Sequence, residues 1–497
     1  MSQAPEIKSD PNTRFVGGAI WMIALRWLMR AIGLVSTITL ARLLTPQDFG
    51  LVAMAMVVYA LIDSMATTGV DLALIRNPKD SLELHNAAWT IQILQGLFVA
   101  VVMLACIPLA IDYFQEDRLQ AILSLLALAA LIQGFRNIGT VAFRKELDFA
   151  KEFRFILTQK IIVFLITMSL AFWLRDYRAM VFGMLSQSVI EVFLSYRMHS
   201  YRPKISTSGI REIWSFSQWL LISRIGMVLN QKSGQLIAGR AVGTDLLGVY
   251  HMGVELGTIF VQEIIMPARR ALFPNMSRLQ AEPNFSERAI DILGLLFLAC
   301  VPVGVGLHLI AYPIVVLLLG EHWLSVVPIL SWMSLFGVAI GINLALDLVL
   351  LVKKRANLSA RKAWLEVIFL IPVLIYASKD GEIEHIAIAR VIVAACVLPL
   401  MIYYTAAALN VSVLAVYGVL WRPLAAGGVM IIIDNFVFSA LQFGLLTGLI
   451  AQVFVGVFTY FTCLTVFWAL RGKAALGPEK TIFDYLAAQM KSRMASS

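Results

Sequence analysis

Long apolar runs alternate with short polar breaks from one end of the chain to the other. A run of 18 or more apolar residues crosses a hydrocarbon layer of about 30 Å as a helix, which satisfies its own backbone polar groups there. Read between the breaks, the pattern predicts about fourteen helices. They fall near 15–41, 49–74, 88–111, 119–142, 155–174, 179–196, 217–239, 247–266, 290–318, 325–351, 364–378, 385–406, 423–441 and 445–470. The expected fold class is an all-α integral membrane protein.

Composition narrows this further. The chain is 60% hydrophobic and 14% charged, against roughly 25% charged in an ordinary soluble domain. The first residues, MSQAPEIKSDPNTR, lack the tripartite pattern of a cleavable signal, so the first span is expected to stay as an anchor. The net charge of +9 is dispersed between spans and reads as topological, not as a nucleic-acid surface. Cys106, Cys300, Cys396 and Cys463 all sit inside apolar runs, and the six histidines show no paired metal-ligand spacing. No Gly-rich phosphate loop is present, so no catalytic residues, metal or cofactor are expected.

With the N-terminus inside, roughly 27 Lys/Arg fall on the cytoplasmic side against about 6 outside, as the positive-inside rule requires. Both termini are then cytoplasmic. The expected organisation is a six-helix lobe over 1–196, a cytoplasmic amphipathic linker over 197–216 and a second six-helix lobe over 217–406. Two additional helices over 407–470 and a cytoplasmic tail over 471–497 complete it. Sliding the chain against itself by 198 positions aligns Trp21 with Trp219, Arg26 with Arg224 and Arg42 with Arg240. The same offset aligns Gly50 with Gly248, Met54 with Met252 and Asn77 with Asn275. An offset of six helices, an even number, makes the two lobes parallel repeats, an arrangement found in transporters.

The segment LARLLTPQDFGLVAMA (Leu40 to Ala55), followed by GVDLALIRNP (Gly69 to Pro78), resembles the polysaccharide exporter or O-antigen flippase family. That family lies within the multidrug, oligosaccharidyl-lipid and polysaccharide exporter superfamily. The resemblance implies a bacterial inner-membrane flippase carrying undecaprenyl-diphosphate-linked oligosaccharide, an exopolysaccharide or O-antigen repeat unit, from the cytoplasmic to the periplasmic leaflet. Its implied partners are that glycan, membrane lipids, and the polysaccharide polymerase and export machinery. Arg76 departs from the neutral polar residue of many relatives and leaves the sugar open. Within the motif, Pro46 and Gly50 enclose a tight turn and Asp48 is placed to cap the second helix.

A charge deep in the bilayer is costly unless it pairs or faces water, so such residues are candidates for function. Lys160, Glu366, Asp347 and Arg390 lie near span ends and are expected to snorkel. Arg26, Arg30, Arg224, Lys232 and, nearer the cytoplasm, Arg136 form the deep cationic set. Asp63, Asp71, Glu255 and Glu263 form the acidic one. Hairpin geometry at 1.5 Å per residue puts Arg30 level with Asp63, Lys232 with Glu255, and Arg224 with Glu263. Two readings stand. These pairs lock helices together, or the cations line a cavity for a diphosphate, with Trp21 and Trp219 offering sugar-stacking surface. The carboxylates are candidates for ion coupling, Asp63 first, or for salt-bridge partners.

Two other functions compete with flipping. A multidrug or cation antiporter of the same superfamily would carry a cavity dominated by acids and aromatics. A membrane polysaccharide polymerase or ligase would need a sizeable outer loop, and the external connections are short. The G-x-x-x-G spacings Gly253/Gly257 and Gly337/Gly341 are read as helix packing.

Overall fold

Pro, Gly and charged residues at the ends of the apolar runs set where helices start and stop. The computed structural model describes residues 11–66, 69–76, 81–146, 148–208, 210–440 and 444–470. The tail at 471–497, Asn77 and Pro78 lie outside the described residues, as do the side chains of Trp21 and Trp219. Two compact units divide the chain, residues 1–248 and 249–497.

The first unit contains α1 (Pro11–Leu43), α2 (Pro46–Ala66), α3 (Val70–Arg76), α4 (Leu82–Phe114) and α5 (Leu119–Gly134). It continues with α6 (Ala142–Lys145), α7 (Phe149–Leu174), α8 (Arg178–Met198) and the first stretch of α9 (Ile210–Leu279). Pro46 suits the first turn of α2 because the missing N–H there has no helical partner. Thr45 takes the capping position, and Asp48 closes the box from the third helical residue. Its Oδ2 accepts from the Thr45 amide at 2.9 Å and the Thr45 hydroxyl at 2.7 Å. The other oxygen accepts from the Tyr177 amide at 3.0 Å, fixing the start of α8 beside that turn.

The segment 197–216, expected as an amphipathic element on the leaflet, instead runs extended over 199–208 and is strapped to α4. The Tyr201 hydroxyl donates to Asn86 Oδ1 at 2.5 Å, the Lys204 amide to the same oxygen at 2.9 Å, and the Ser206 amide to Thr90 Oγ1 at 2.9 Å. Pro203 and the run of Ser and Thr disfavour helix here. Helix resumes at Ile210 and continues to Leu279 with one non-helical residue, Gly243, at φ 76°. The boundary between the compact units falls just beyond that bend.

The second unit holds the rest of α9, then α10 (Phe285–Leu309), α11 (Ala311–Ile314), α12 (Val326–Val352), α13 (Ala356–Ala377), α14 (Ile383–Leu409), α15 (Val413–Ala440) and α16 (Leu445–Leu470). Its centre is α12, which packs on α10 and α14. Gly257 and Gly337 bring α9 and α12 together, the Gly337 backbone meeting the Gly257 carbonyl. Such close approach matters because lipid is as apolar as leucine, so packing, not escape from water, holds helices together.

Ten helices among the described residues are long and apolar enough to cross a membrane, or eleven if the bent pair Leu119–Gly134 and Ile138–Lys145 counts as one span. The expected count of fourteen is not reached on that criterion. The shortfall falls on α9, which carries Arg224, Lys232, Arg240, Glu255 and Glu263, and on α13, which carries Arg361, Lys362 and Glu366. The long all-helical membrane fold stands.

Three of the four span-end charges make contacts inside the bundle. Arg390 is 5% exposed, its guanidinium 4.7 Å from the Phe336 ring centroid, on a helix packed by α12, α13 and α15. Glu366 pairs with Lys362 at 2.5 Å, and Asp347 with Arg269 at 2.9 Å.

Candidate functional site: a polar cavity in the first unit

Helix α5 stops at Gly134, and the chain turns by 71° before the short helical stretch Ile138–Lys145. The bend would strand the last carbonyls of α5 in apolar surroundings, where an unpaired polar group costs about 1–3 kcal/mol. Gln92 on α4 supplies the donor. Its Nε2 lies 3.1 Å from the Gly134 carbonyl and 2.9 Å from that of Arg136. It reaches them because Gly96 and Gly134 let α4 and α5 touch: a Cβ at Gly96 would sit 2.8 Å from the Ala130 carbonyl oxygen. Beyond the bend Asn137 restarts the chain, its Oδ1 accepting from the Gly139 amide at 2.9 Å and its Nδ2 donating to the Tyr201 carbonyl at 2.7 Å.

The break opens a cavity of about 370 Å³. Tyr59 and Asp63 of α2, Asp71 of α3, Gln92 and Gln95 of α4, Gln133 and Arg136 at the bend, and Arg224 of α9 supply its polar lining. Arg136 is held on two sides. One Nη reaches both oxygens of Asp71 at 3.1 Å, and the other reaches Glu191 of α8 at 3.3 Å. Gln133 and Gln159 each approach Glu191 at 3.5 Å. This network joins α3, the α5 bend, α7 and α8 around one guanidinium.

The second pair differs in kind. Arg224 Nη2 lies 3.2 Å from Asp63 Oδ2, with the two side chains 43% and 32% exposed, against 21% for Arg136. Arg224–Asp63 therefore faces the cavity as an open ion pair, whereas Arg136 is embedded. An open pair exchanges partners at low cost; an embedded one leaves an uncompensated charge when broken.

Of the residues expected from sequence, Arg136, Arg224, Asp63 and Asp71 are brought to this one cavity. Arg26 and Arg30 lie one turn apart on α1, half-buried, and neither lines it. Lys232 donates to Gln235 at 3.0 Å on α9, away from the cavity lining. Glu255 is exposed and Glu263 half-buried, both in the second unit. The cavity also uses Gln92, Gln95, Gln133 and Tyr59, with Glu191 behind Arg136, none of which depth alone singled out. Glutamines recurring inside apolar spans were the readable signal for three of them. Among the described residues no group of three or more His, Cys, Asp or Glu is placed to hold a metal ion.

The fold is that of known membrane transporters. A structure titled lipid II flippase MurJ, inward closed conformation, superimposes with a TM-score of 0.72, covering 91% of this chain and 99% of that one at 12% identity. A multidrug resistance transporter in an inward-facing conformation gives 0.60, covering 77% and 96% at 14% identity. In sequence, an uncharacterised membrane protein in the cps region of Klebsiella pneumoniae is 26% identical over 353 residues, 70% of this chain and 73% of that protein. The lipopolysaccharide biosynthesis protein WzxC of Escherichia coli K12 is 24% identical over 371 residues, 72% and 74% of the two chains. The succinoglycan biosynthesis transport protein ExoT of Rhizobium meliloti is 22% identical over 340 residues, 67% of each. A family model described as polysaccharide biosynthesis protein matches residues 39–328, more than half of the chain, and this multi-pass membrane protein belongs to that family.

Proposed function

We propose that the chain is a flippase that carries an undecaprenyl-diphosphate-linked oligosaccharide from the cytoplasmic to the periplasmic leaflet by alternating access, in a bacterial inner membrane with both termini cytoplasmic. The observation that carries this reading is the open Arg224–Asp63 pair at a polar cavity lined by membrane helices. A planar guanidinium offers a diphosphate two parallel donors. On binding, phosphate oxygens displace the Asp63 carboxylate from Arg224, which makes Asp63 the candidate for coupling. Arg136, tied to Asp71 and Glu191, keeps the cavity floor in place. Membership of a polysaccharide biosynthesis family, and relatives named for polysaccharide biosynthesis and transport, support the glycan part of the reading.

The test is reconstitution into vesicles loaded with a fluorescent undecaprenyl-diphosphate oligosaccharide on one leaflet. Protein-dependent loss of that leaflet asymmetry, abolished by Arg224→Ala, is the expected result. Unchanged asymmetry with active, folded protein would sink the proposal.

One observation favours a second reading. Two carboxylates and two guanidiniums line the cavity, and Glu191 behind Arg136 adds a third carboxylate, a surplus that suits a cationic substrate. A cation antiporter would move a cationic dye against a proton gradient in the same vesicles without added glycolipid; a flippase would not.

A further inference from the structure

A second buried acid lies far along the chain from this cavity, in the second unit, and has no part in it. Asp434 sits on α15, six residues before its end at Ala440, and is 5% exposed. Three helices meet there. Gly427 of α15 packs on Val301 and Val305 of α10, Met430 lies 3.6 Å from where a Cβ on Gly306 would be, and Gly456 of α16 faces Met430 from the other side. Gln452 of α16 approaches Asp434 Oδ2 with its Nε2 at 3.5 Å. Oδ1 has no hydrogen-bond partner among the described residues.

His308 of α10 is close enough to act electrostatically on the Asp434 carboxylate. Its tautomer is set by a neighbour: Nδ1 lies 3.0 Å from the Ser331 carbonyl oxygen, which only accepts, so Nδ1 carries the hydrogen. Among the described residues, the charges on the neighbouring helices lie elsewhere. Within Leu445–Leu470 α16 has none, and Arg422 on α15 is more than three turns away. On α14, Arg390 lies over Phe336, Glu384 accepts from Trp332 Nε1 at 2.9 Å, and His385 faces Asp380 and Glu382.

We propose that Asp434, with His308 and Gln452, forms a proton-binding site at the junction of α10, α15 and α16. A hard metal cation takes about six oxygen ligands, and this junction offers one carboxylate and one amide oxygen. A proton needs one lone pair, and Oδ1 presents it. Loading forms one O–H bond at Oδ1 with a proton taken from a hydronium ion, leaving water; release reverses this. Loaded, the carboxyl is neutral; unloaded, it carries one negative charge in an apolar junction, which weakens the packing of α16 on α10 and α15. Proton loading is thereby linked to how tightly the last helix is held.

Infrared difference spectroscopy of the full chain in lipid nanodiscs, titrated with pH, reads this site independently of transport. The wild type is expected to show a carboxylic-acid carbonyl band that disappears as pH rises. Asp434→Asn should abolish that band, and Asp434→Glu should keep it at a shifted frequency, which covers the case in which the asparagine variant misfolds. His308→Gln removes the imidazole that neighbours the carboxylate and should move the midpoint. Exchanging potassium for sodium should leave the midpoint in place. A spectrum unaltered by both Asp434 variants, a midpoint unmoved in His308→Gln, or a midpoint that follows sodium would each overturn the proposal.

Discussion

Gly50 and Gly248, 198 positions apart, meet backbone to backbone in a reciprocal contact. A Cβ on Gly50 would overlap the Thr244 carbonyl oxygen, and a Cβ on Gly248 would overlap that of Pro46. Thr244 and Pro46 are themselves 198 positions apart. The two turns therefore obey a local two-fold relation in the same register as the sequence repeat. Neither contact is between side-chain tips that could swing aside.

Gly50→Ala and Gly248→Ala are each expected to destabilise the fold by about 1–3 kcal/mol, the usual cost of overpacking. Because each change disrupts the same contact, the double variant should cost clearly less than the sum. Thermal unfolding in nanodiscs measures this, and strict additivity would show that the two glycines do not share one contact.

At the cavity, Arg224→Ala removes a charge-assisted donor worth about 1.5–3 kcal/mol, so flipping should fall roughly ten- to a hundred-fold. Arg224→Lys should recover part of it, since a point charge keeps the attraction and loses the fork. Asp63→Asn should leave binding of the diphosphate intact or tighter while removing any dependence of the rate on the proton gradient. A gradient response retained in Asp63→Asn would exclude this carboxylate from coupling.

Gln92→Leu should lower stability by about 1–3 kcal/mol, since the carbonyls of Gly134 and Arg136 then lose their donor at the bend. Gln92→Glu, which keeps the size but supplies only acceptors when ionised, should be at least as damaging. Equal unfolding temperatures for wild type and both variants would mean that water takes over the role of the amide.

Outside the spans, the turn between α4 and α5 carries a pH-dependent brace. The Arg118 guanidinium holds Glu116 through two bonds of 2.8 Å and keeps its carboxyl below the ordinary value of 4.5. A carboxyl depressed in the folded state contributes stability above its unfolded pKa and loses it as pH falls through the folded value. Unfolding followed from pH 6 downward should thus show a loss beginning near pH 4.5 that Glu116→Gln lacks. With Arg118 40% exposed, the size is under about 1 kcal/mol.

Much of the fold was legible because each span carries its own evidence. An apolar run bounded by charge is a helix whatever its neighbours do, and Gly50/Gly248 showed up as a repeat before any contact was known. What sequence could not supply is which helix faces which. Hairpin depth put Arg224 level with Glu263, and no spacing tied it to Asp63, 161 residues away, which accepts from it in the cavity. Glu191, seven residues inside the end of α8, was not among the deep charges read from the sequence although it anchors Arg136. The strap at 199–208 depends on Asn86 and Thr90 of α4, which no local pattern ties to it.

The Arg224–Asp63 pair also bears on ionic strength. A ligand that met a bare guanidinium would bind more weakly in salt, in proportion to the charge neutralised. Here an anion takes the place of another anion, so screening weakens the departing and the arriving partner alike. Affinity at this cavity then depends little on salt, and recognition shifts from how many charges a lipid headgroup carries to whether its oxygens match the fork that Asp63 has been occupying.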